Sequence, residues 1–404
     1  MLSRLKVLGY CLPLLFAATL HAQETRAEAI EAAREEKKAE AEPEKVSKTE
    51  ARLNKIKDKR ILERFTQGLD GFTIVLGGLA TGQGFALGPQ ISRADLADGQ
   101  LALRTSARFA STGAYLIDFA LGAPALAKGR AFADFLATHE NYPQIEYFGP
   151  GPDSSVDDDT DFRREMTRID GLVGVRPVSR MRLGVGLGTV LANTGAGPDD
   201  DRSPETFFAP GLVPGVDRQT NFFTSTLLAD YDWRDNPGGP RRGGLYSARY
   251  VYFNDNELDL HNFRRLSLEA QQYIPFYNRR RVIALRAATT MSFENGTSTV
   301  PFYLQPILGG SDDLRGFRQY RFYDNNSVIL NAEYRWESFT GLDLALFVDA
   351  GKVAPKASQI NFHDLEASVG FGMRFNIRNS TFIRLDFAVS HEGFRYWFKF
   401  GNPF

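Results

Sequence analysis

The sequence has almost no cysteine and no long apolar run. Its only cysteine, Cys11, lies in an N-terminal stretch in which two basic residues precede the apolar residues 7–20. This pattern predicts a secretory signal peptide over residues 1–22, whose apolar part is too short to span a membrane. The mature chain would then have no thiol, which excludes disulfides and thiolate metal sites. No later stretch of about 18 apolar residues is present, which excludes a membrane-spanning helix.

The chain also has no marked excess of charge of either sign. Its formal net charge is -1, and no basic stripe indicates a nucleic-acid partner. Aromatic residues and glycine are instead abundant, with 32 Phe, 15 Tyr and 37 Gly. A secreted, thiol-free chain of this composition predicts a β-rich outer-membrane protein. Composition alone leaves a soluble periplasmic β-protein open.

No motif for catalysis or for binding a cofactor is present. The five histidines are scattered, and neither a His-Glu-x-x-His helix nor a Gly-x-Ser-x-Gly turn occurs. The aspartates between Asp153 and Asp161 form an acidic stretch, but they lack the spacing and the glycine of an EF-hand. A solvated outer loop is therefore favoured there over a calcium site. The sequence predicts a protein that is not an enzyme and that has no metal or cofactor.

Residues 23–67 differ in composition from the rest of the chain. They are rich in Ala, Glu, Lys and Arg, and Pro43 divides them into two stretches that favour a helix. The second stretch has a partial apolar stripe, which leaves a partner-docking helix as an alternative to a solvated periplasmic tail. The segment is too short for a folded domain with its own core.

From residue 71 onward, apolar and polar residues alternate with a period of two. The stretch from Leu342 to Ala350 has aliphatic residues at every even position and both its aspartates at odd positions. Such strands have one apolar and one polar face. In a soluble sandwich the apolar face forms the core, whereas in a membrane barrel it contacts lipid and the charges line the lumen.

The connections between the predicted strands distinguish these two folds. Sixteen strands fit within residues 71–402, and the long connections 139–161, 193–219 and 295–325 all lie on one side of the sheet. Tight turns dominate the other side, as in bacterial barrels with short periplasmic turns and long outer loops. A closed barrel also has no unpaired edge in lipid. The sequence therefore predicts an all-β fold, a closed antiparallel transmembrane β-barrel over residues 68–404.

Three motifs near the C-terminal end bring an arginine and two acids into one part of the chain. They are Leu314-Arg315-Gly316-Phe317, Glu333-Tyr334-Arg335 and Phe347-Val348-Asp349-Ala350-Gly351. The first lies in the connection 295–325, and the alternation directs Glu333 and Asp349 to the polar face of their strands. Other charges on polar faces predict a network that fills the interior or tunes permeation: Glu269, Arg286, Arg335, Glu366, Arg374, Arg384 and Asp386.

In order and spacing, these motifs resemble those of the BamA/TamA-like outer-membrane assembly and translocation superfamily, also called the bacterial surface antigen family. Further matching residues are Tyr147-Phe148-Gly149-Pro150-Gly151, Arg234-Asp235-Asn236-Pro237 and the terminal Phe404. The resemblance covers about residues 71–404 and implies a barrel in the bacterial outer membrane, with the N-terminal segment in the periplasm. Family members that insert or translocate proteins carry periplasmic POTRA repeats. Because residues 23–67 show little β-pattern, a member lacking POTRA repeats is expected.

The resemblance also implies where the functional residues lie. In the family, the loop between strands 11 and 12 folds into the barrel, which would pair Arg315 with Asp349 and place Glu333 nearby. The planar guanidinium group matches the geometry of a carboxylate, which favours this pairing. The alternative to the pairing is that Arg315 only lines a loop tip. The predicted loop–barrel clamp consists of Arg315, Gly316, Phe317, Glu333 and Asp349. The first and last strands would form a weakly paired seam that involves Gly71, Gly77, Gly78 and Phe404.

By resemblance, the barrel would assist membrane insertion or passage of protein or lipid clients. A passive pore or structural barrel that has lost this activity stays open as the alternative. The expected partners are outer-membrane lipid, protein clients and a periplasmic partner bound through residues 23–67. A homodimer also stays open.

Overall fold

A computed structural model of the protein describes residues 71–404, apart from residues 78, 81, 278, 279, 378 and 379. The predicted signal peptide over residues 1–22, the charged segment 23–67 and Gly78 lie outside the described residues. Those assignments stay predictions, as does the start of the barrel domain at residue 68.

Sixteen strands form one antiparallel sheet in which each strand pairs with its neighbours in the chain. In chain order the strands are β1 (Phe72–Leu76), β2 (Ala86–Asp95), β3 (Leu101–Ala110), β4 (Tyr115–Ala125), β5 (Ala131–Tyr147), β6 (Thr160–Val175), β7 (Met181–Ala196), β8 (Phe222–Asp232), β9 (Gly243–Asp255), β10 (Phe263–Phe276), β11 (Arg281–Glu294), β12 (Ile307–Leu308), β13 (Phe322–Tyr323), β14 (Asn326–Phe339), β15 (Leu342–Ala354), β16 (Glu366–Ile377), β17 (Ser380–Ser390) and β18 (Gly393–Phe400). The short strands β12 and β13 pair with each other inside the connection between β11 and β14. The other sixteen form a nearly closed barrel, which confirms the predicted fold class and strand number.

The helical segments are short and lie in the connections. They are Leu96–Gly99, Leu126–Gly129 and Pro204–Phe207, with 3-10 turns at Asp200–Arg202, Phe302–Leu304 and Ala357–Gln359. Within the described part of the chain, no helix is both long and apolar enough to cross a membrane.

The apolar face of the strands points outward. Leu346, Val348 and Val369 are 51%, 48% and 56% exposed, respectively. Phe347 and Asp349, which alternate with the first two, are buried. Apolar side chains therefore form the outer surface and charged ones line the lumen, as a barrel embedded in lipid requires.

The long connections lie at one end of the barrel and the short turns at the other. Since the number of barrel strands is even, β1 begins and β18 ends on the short-turn side. By the usual asymmetry of bacterial barrels, we call this side periplasmic and the side of the connection 295–325 extracellular.

Two of the predicted long connections have other bounds in the structure: β7 runs to Ala196, so the connection 193–219 covers residues 197–221, and the larger error follows β5. The strand predicted to end at residue 138 is β5, which runs to Tyr147, so the connection that follows covers residues 148–159 and not 139–161. The error arose at Pro143, which cannot donate to a strand ladder and therefore favours a loop from sequence. The structure accommodates this proline at an irregularity, where the β5–β6 register shifts between Tyr142 and Ile145.

Aromatic side chains fill the extracellular half of the lumen. We call this group the aromatic core; its members are Tyr142, Tyr147, Phe162, Phe222, Phe253, Phe263, Phe302, Tyr303, Tyr320 and Tyr323. Phe302, from the connection between β11 and β14, lies edge-to-face against Tyr147 and Phe162, with ring centroids 5.6 and 4.8 Å away. The loop is thus held inside the barrel by apolar burial as well as by charge.

Candidate functional site

The connection 295–325 folds into the lumen, and two glycines let it turn there. Gly309 and Gly310 have φ angles of 113° and 99°, which other residues rarely adopt. A side chain on Gly309 would also place its Cβ 2.4 Å from the carbonyl oxygen of Arg318. The glycine pair therefore directs the following residues, including Arg315, towards the inner wall.

Arg315 lies against two acids on neighbouring strands. It is 1% exposed, and its Nε and Nη2 donate to the two carboxylate oxygens of Asp349 at 2.8 and 2.6 Å. Its Nη1 donates to Glu333, and its backbone N–H reaches Asp349 at 3.2 Å. The guanidinium carbon also lies 3.4 Å from the ring centroid of Phe347. A forked, charge-assisted contact of this kind fixes the orientation of the loop tip.

Glu333 is shared by three arginines. Besides Arg315, it accepts from Arg335 at 2.5 Å and from Arg374 at 3.1 Å. Arg374 in turn donates to Asp386 at 2.6 Å. Burial alone would lower the pKa of Arg315, but Asp349 and Glu333 outweigh it and raise that pKa above its ordinary value. Arg315 is therefore charged at any physiological pH.

The loop tip also contacts the last hairpin of the barrel. Trp397 of β18 donates its indole N–H to the carbonyl of Arg315 at 2.7 Å, and Ser390 of β17 donates to the carbonyl of Gly316 at 2.8 Å. The Phe317 ring packs edge-on against His391, with centroids 5.3 Å apart. The loop thus binds both the wall that carries the acids and the strand that ends the sheet.

Further ion pairs join the outer part of the loop to other connections. Arg321 pairs with Glu392 at 2.6 Å and donates to the carbonyl of Ser154 at 2.6 Å. Arg318 pairs with Asp159 at 3.2 Å. The acidic stretch after β5 therefore holds the loop through at least one of its aspartates, a role that the sequence did not indicate.

Of the five residues of the predicted clamp, the structure brings Arg315, Glu333 and Asp349 into contact, whereas Gly316 and Phe317 contact the last hairpin. Sequence reasoning missed Trp397 and Ser390, and did not connect Arg374 or Asp386 to the clamp, although it placed both in the lumen. Their inward position follows from strand alternation. Their contacts with the loop tip and with Glu333 depend on where the loop ends, which alternation does not indicate.

We expect the substitution Gly316→Ala to destabilise the barrel by about 1–3 kcal/mol, because it overpacks a closed contact. A Cβ at this position would lie 2.5 Å from the Cβ of Ser368 and 2.9 Å from that of Ser390. Urea unfolding of the purified barrel measures the effect. Gly195→Ala is the matched control, since no atom lies within 4 Å of its added Cβ. Equal unfolding free energies for the two variants would contradict the close contact.

The sheet is open between its first and last strands. It begins at β1 and ends at β18, and in the described residues no pairing joins the two. A cavity of about 980 Å³ lies between β18 and the connection that follows β1, and it reaches Asp312 of the inner loop. Its other lining residues include Gly77, Gly84, Phe85, Phe398 and Phe400. We call this gap the seam.

The four predicted seam residues have different surroundings. Gly77 lies at the seam, where a Cβ would be 2.7 Å from the Phe400 ring. Gly71 lies against β2, since its carbonyl accepts from the N–H of Ser92 at 2.8 Å. Gly78 is outside the described residues.

Phe404 lies away from the seam. Its ring stacks on Tyr273 with centroids 6.4 Å apart, and the guanidinium of Arg335 lies 5.2 Å from its centroid. The chain turns after β18 at Gly401, which has a φ of 84°. The turn buries the last aromatic ring beside Val282 and Ala284 instead of leaving it at the edge.

Comparisons with known proteins bear on the whole barrel. Residues 179–402, more than half of the chain, match the Omp85 superfamily domain. The structure is similar to BamA from Haemophilus ducreyi lacking POTRA domains 1–3, with a TM-score of 0.60, 16% identity, and coverage of 83% of this chain and 70% of that one. It is also similar to CdiB from Escherichia coli, with a TM-score of 0.54, 15% identity, and coverage of 81% of this chain and 61% of that one. The search of curated proteins gave no match.

Proposed function

We propose that this chain, which belongs to the Omp85 superfamily, assists the insertion or passage of protein clients at the bacterial outer membrane. A barrel of this superfamily is an outer-membrane protein. The similarity to BamA and CdiB concerns the fold, and the chain spans less than two thirds of the CdiB chain. The client and the activity are therefore part of the proposal. The observation that carries it is an unpaired seam beside a loop that is locked to the barrel wall.

The seam supports the proposal because it leaves strand edges in the membrane. Backbone groups that stay unpaired in lipid are costly, so a barrel normally closes. Here β1 has only five residues, and β18 ends the sheet next to a cavity. An extended client segment can satisfy the free edge of β18 by adding a strand to it.

The clamp would hold the last hairpin while the seam is open. Trp397 and Ser390 bind the loop tip, and Arg315 fixes that tip to Asp349. A buried ion pair is weak evidence that a fold is more stable, but it can favour one arrangement of the loop and the barrel wall over others. In this proposal the clamp keeps β17 and β18 in register when no partner strand braces them.

A passive pore is the alternative function. The aromatic core opposes it, because rings from the wall and the loop occupy the extracellular half of the lumen. Recording from planar bilayers separates the two ideas: a stable open conductance without a client would favour the pore. We expect the wild-type barrel to stay closed.

The decisive experiment is depletion of the protein in its own bacterium. We expect depletion to lower outer-membrane protein levels or secretion, and the wild-type gene to restore them. Asp349→Asn should restore less, since the amide cannot pair with Arg315, whereas Asp157→Asn on an exposed connection is the matched control. Unchanged outer-membrane proteins, secretion and lipid asymmetry after depletion would refute the assembly role.

A further inference from the structure

The periplasmic turn between β8 and β9 reaches across the mouth of the barrel. Within this turn, residues 233–242, Arg241 donates from Nη2 to both carboxylate oxygens of Asp343 at 2.7 Å. The carbonyl of Gly238 accepts from the N–H of Thr381 at 2.9 Å. Asp343 lies in β15 and Thr381 in β17, which are not neighbours of β8 or β9 in the sheet. The turn therefore crosses the lumen to reach them.

The turn is built as a rigid projection. The N–H of Trp233 donates to the carbonyl of Gly244 and that of Asp235 to the carbonyl of Arg242, both at 2.9 Å, which extends the β8–β9 hairpin beyond its strands. The Asp235 carboxylate then accepts from three backbone N–H groups of the turn at 3.0–3.2 Å. Such side-chain bonds to the backbone fix a tight turn in one conformation.

The C-terminal residues lie at the same end of the lumen as this turn, and we call the two together the floor. Phe404 packs on Tyr273 and beneath Arg335, and Arg335 also binds Glu333 of the clamp. The last residues of the chain and the turn 233–242 therefore cover the same end of the lumen. The aromatic core lies at the opposite end.

A solvent-accessible space remains between the aromatic core and this floor. Arg168 and Arg249 are on inward-facing positions, since they pair with the buried Val190 and Leu228. Both arginines are nevertheless exposed, and neither has a carboxylate within salt-bridge distance in the described residues. Exposed charges inside a barrel indicate a compartment that is neither packed nor open to lipid.

We propose that residues 233–242 form a latch that closes this compartment on the periplasmic side, held by the Arg241–Asp343 pair. The side chains of the pair keep 24% and 11% of their surfaces exposed, in contrast to the fully buried clamp. A partly exposed pair is weaker than a buried network, so the latch can open while the barrel stays folded. The inference concerns access to the lumen and does not depend on the client proposed above.

The test measures entry of a reagent into the lumen from the periplasmic side. A reporter cysteine replaces Thr226, an inward residue of β8 opposite Gly186, in a Cys11→Ser background that has no other thiol. A maleimide carrying a bulky polymer labels the full-length barrel in nanodiscs. We expect Arg241→Ala to speed labelling about fivefold, the change in an opening equilibrium when a pair worth about 1 kcal/mol is lost.

Two further variants make the result decisive. Arg242→Ala removes a neighbouring exposed arginine and should leave the labelling rate unchanged. The exchanged pair Arg241→Asp/Asp343→Arg should return it to the slow wild-type value. Heat-modified gel mobility confirms that each variant is folded. Equal labelling rates in the wild type, Arg241→Ala and the exchanged pair would overturn the latch.

An engineered disulfide tests the same contact directly. A Cβ built on Gly238 lies 3.0 Å from the Cβ of Ser380, so a shift of about 0.5–1.5 Å in the turn gives the separation of about 3.5–4.5 Å that disulfides have. Gly238→Cys/Ser380→Cys in the Cys11→Ser background should therefore cross-link on mild oxidation. Failure of the folded double variant to cross-link would mean that the turn does not rest on β17.

Discussion

The substitution Asp349→Ala is expected to destabilise the folded barrel by about 3–5 kcal/mol, the usual cost of removing one partner of a buried ion pair. Arg315 would keep its charge, since a guanidinium is not deprotonated in proteins and Glu333 still contacts it. In the folded barrel Arg315 is 1% exposed, and after the substitution Glu333 is its nearest remaining carboxylate. The cost is therefore that of an incompletely paired guanidinium, added to the lost forked contact.

Two measurements check this result. Urea unfolding gives the free energy, and limited trypsin digestion reports whether the loop leaves the wall, because Arg318 and Arg321 then become cleavable. Asp157→Ala, an exposed aspartate on the connection after β5, should stay within about 0.5 kcal/mol of the wild type. If Asp349→Ala matched that control in both assays, the contact between Arg315 and Asp349 would not be what holds the loop against the wall.

The substitution Glu333→Gln is expected to cost at least as much, about 3–5 kcal/mol or more. Three guanidiniums, those of Arg315, Arg335 and Arg374, contact this one carboxylate. Without its charge Arg315 keeps Asp349 and Arg374 keeps Asp386, whereas Arg335 keeps no ion pair among the described residues. Repulsion among buried cations then adds to the lost attraction.

A second-site variant identifies the cause. Removing one surplus cation with Arg335→Gln should recover about 0.5–3 kcal/mol of the loss, the range of coupling between residues in contact. The double variant should therefore unfold at higher urea concentration than Glu333→Gln alone. Strictly additive losses would instead show that Glu333 acts through packing and not through its charge.

The strands were predictable because strand geometry is a local property. Side chains alternate across a strand regardless of what it packs against, so Leu346 and Val348 could be assigned to one face and Asp349 to the other. Turn length on alternate sides then indicated a barrel and its orientation. The largest boundary error, at Pro143, came from a residue that usually ends a strand but here sits at an irregularity.

The site was predictable only in part. Alternation directs Glu333 and Asp349 inward, and the family resemblance supplied Arg315 as their partner. The contacts of Trp397 and Ser390 with the loop, and of Arg374 with Glu333, were not predictable, because they join segments far apart in the chain. Phe404 was expected at the seam, but the turn at Gly401 carries it under the barrel to Tyr273.

The sequence by itself determined the sixteen-strand barrel and which residues of each strand face the lumen, because both follow from a period-two pattern and short-range turn chemistry. Only the tertiary structure decided what lies inside: the aromatic core, the shared carboxylate of Glu333 and the turn that crosses from β8–β9 to β15 and β17. Strand alternation indicates on which face of the sheet a side chain lies, but not which residue it contacts across the lumen. That partner depends on how the sheet curves and nearly closes, which is a property of all the strands together.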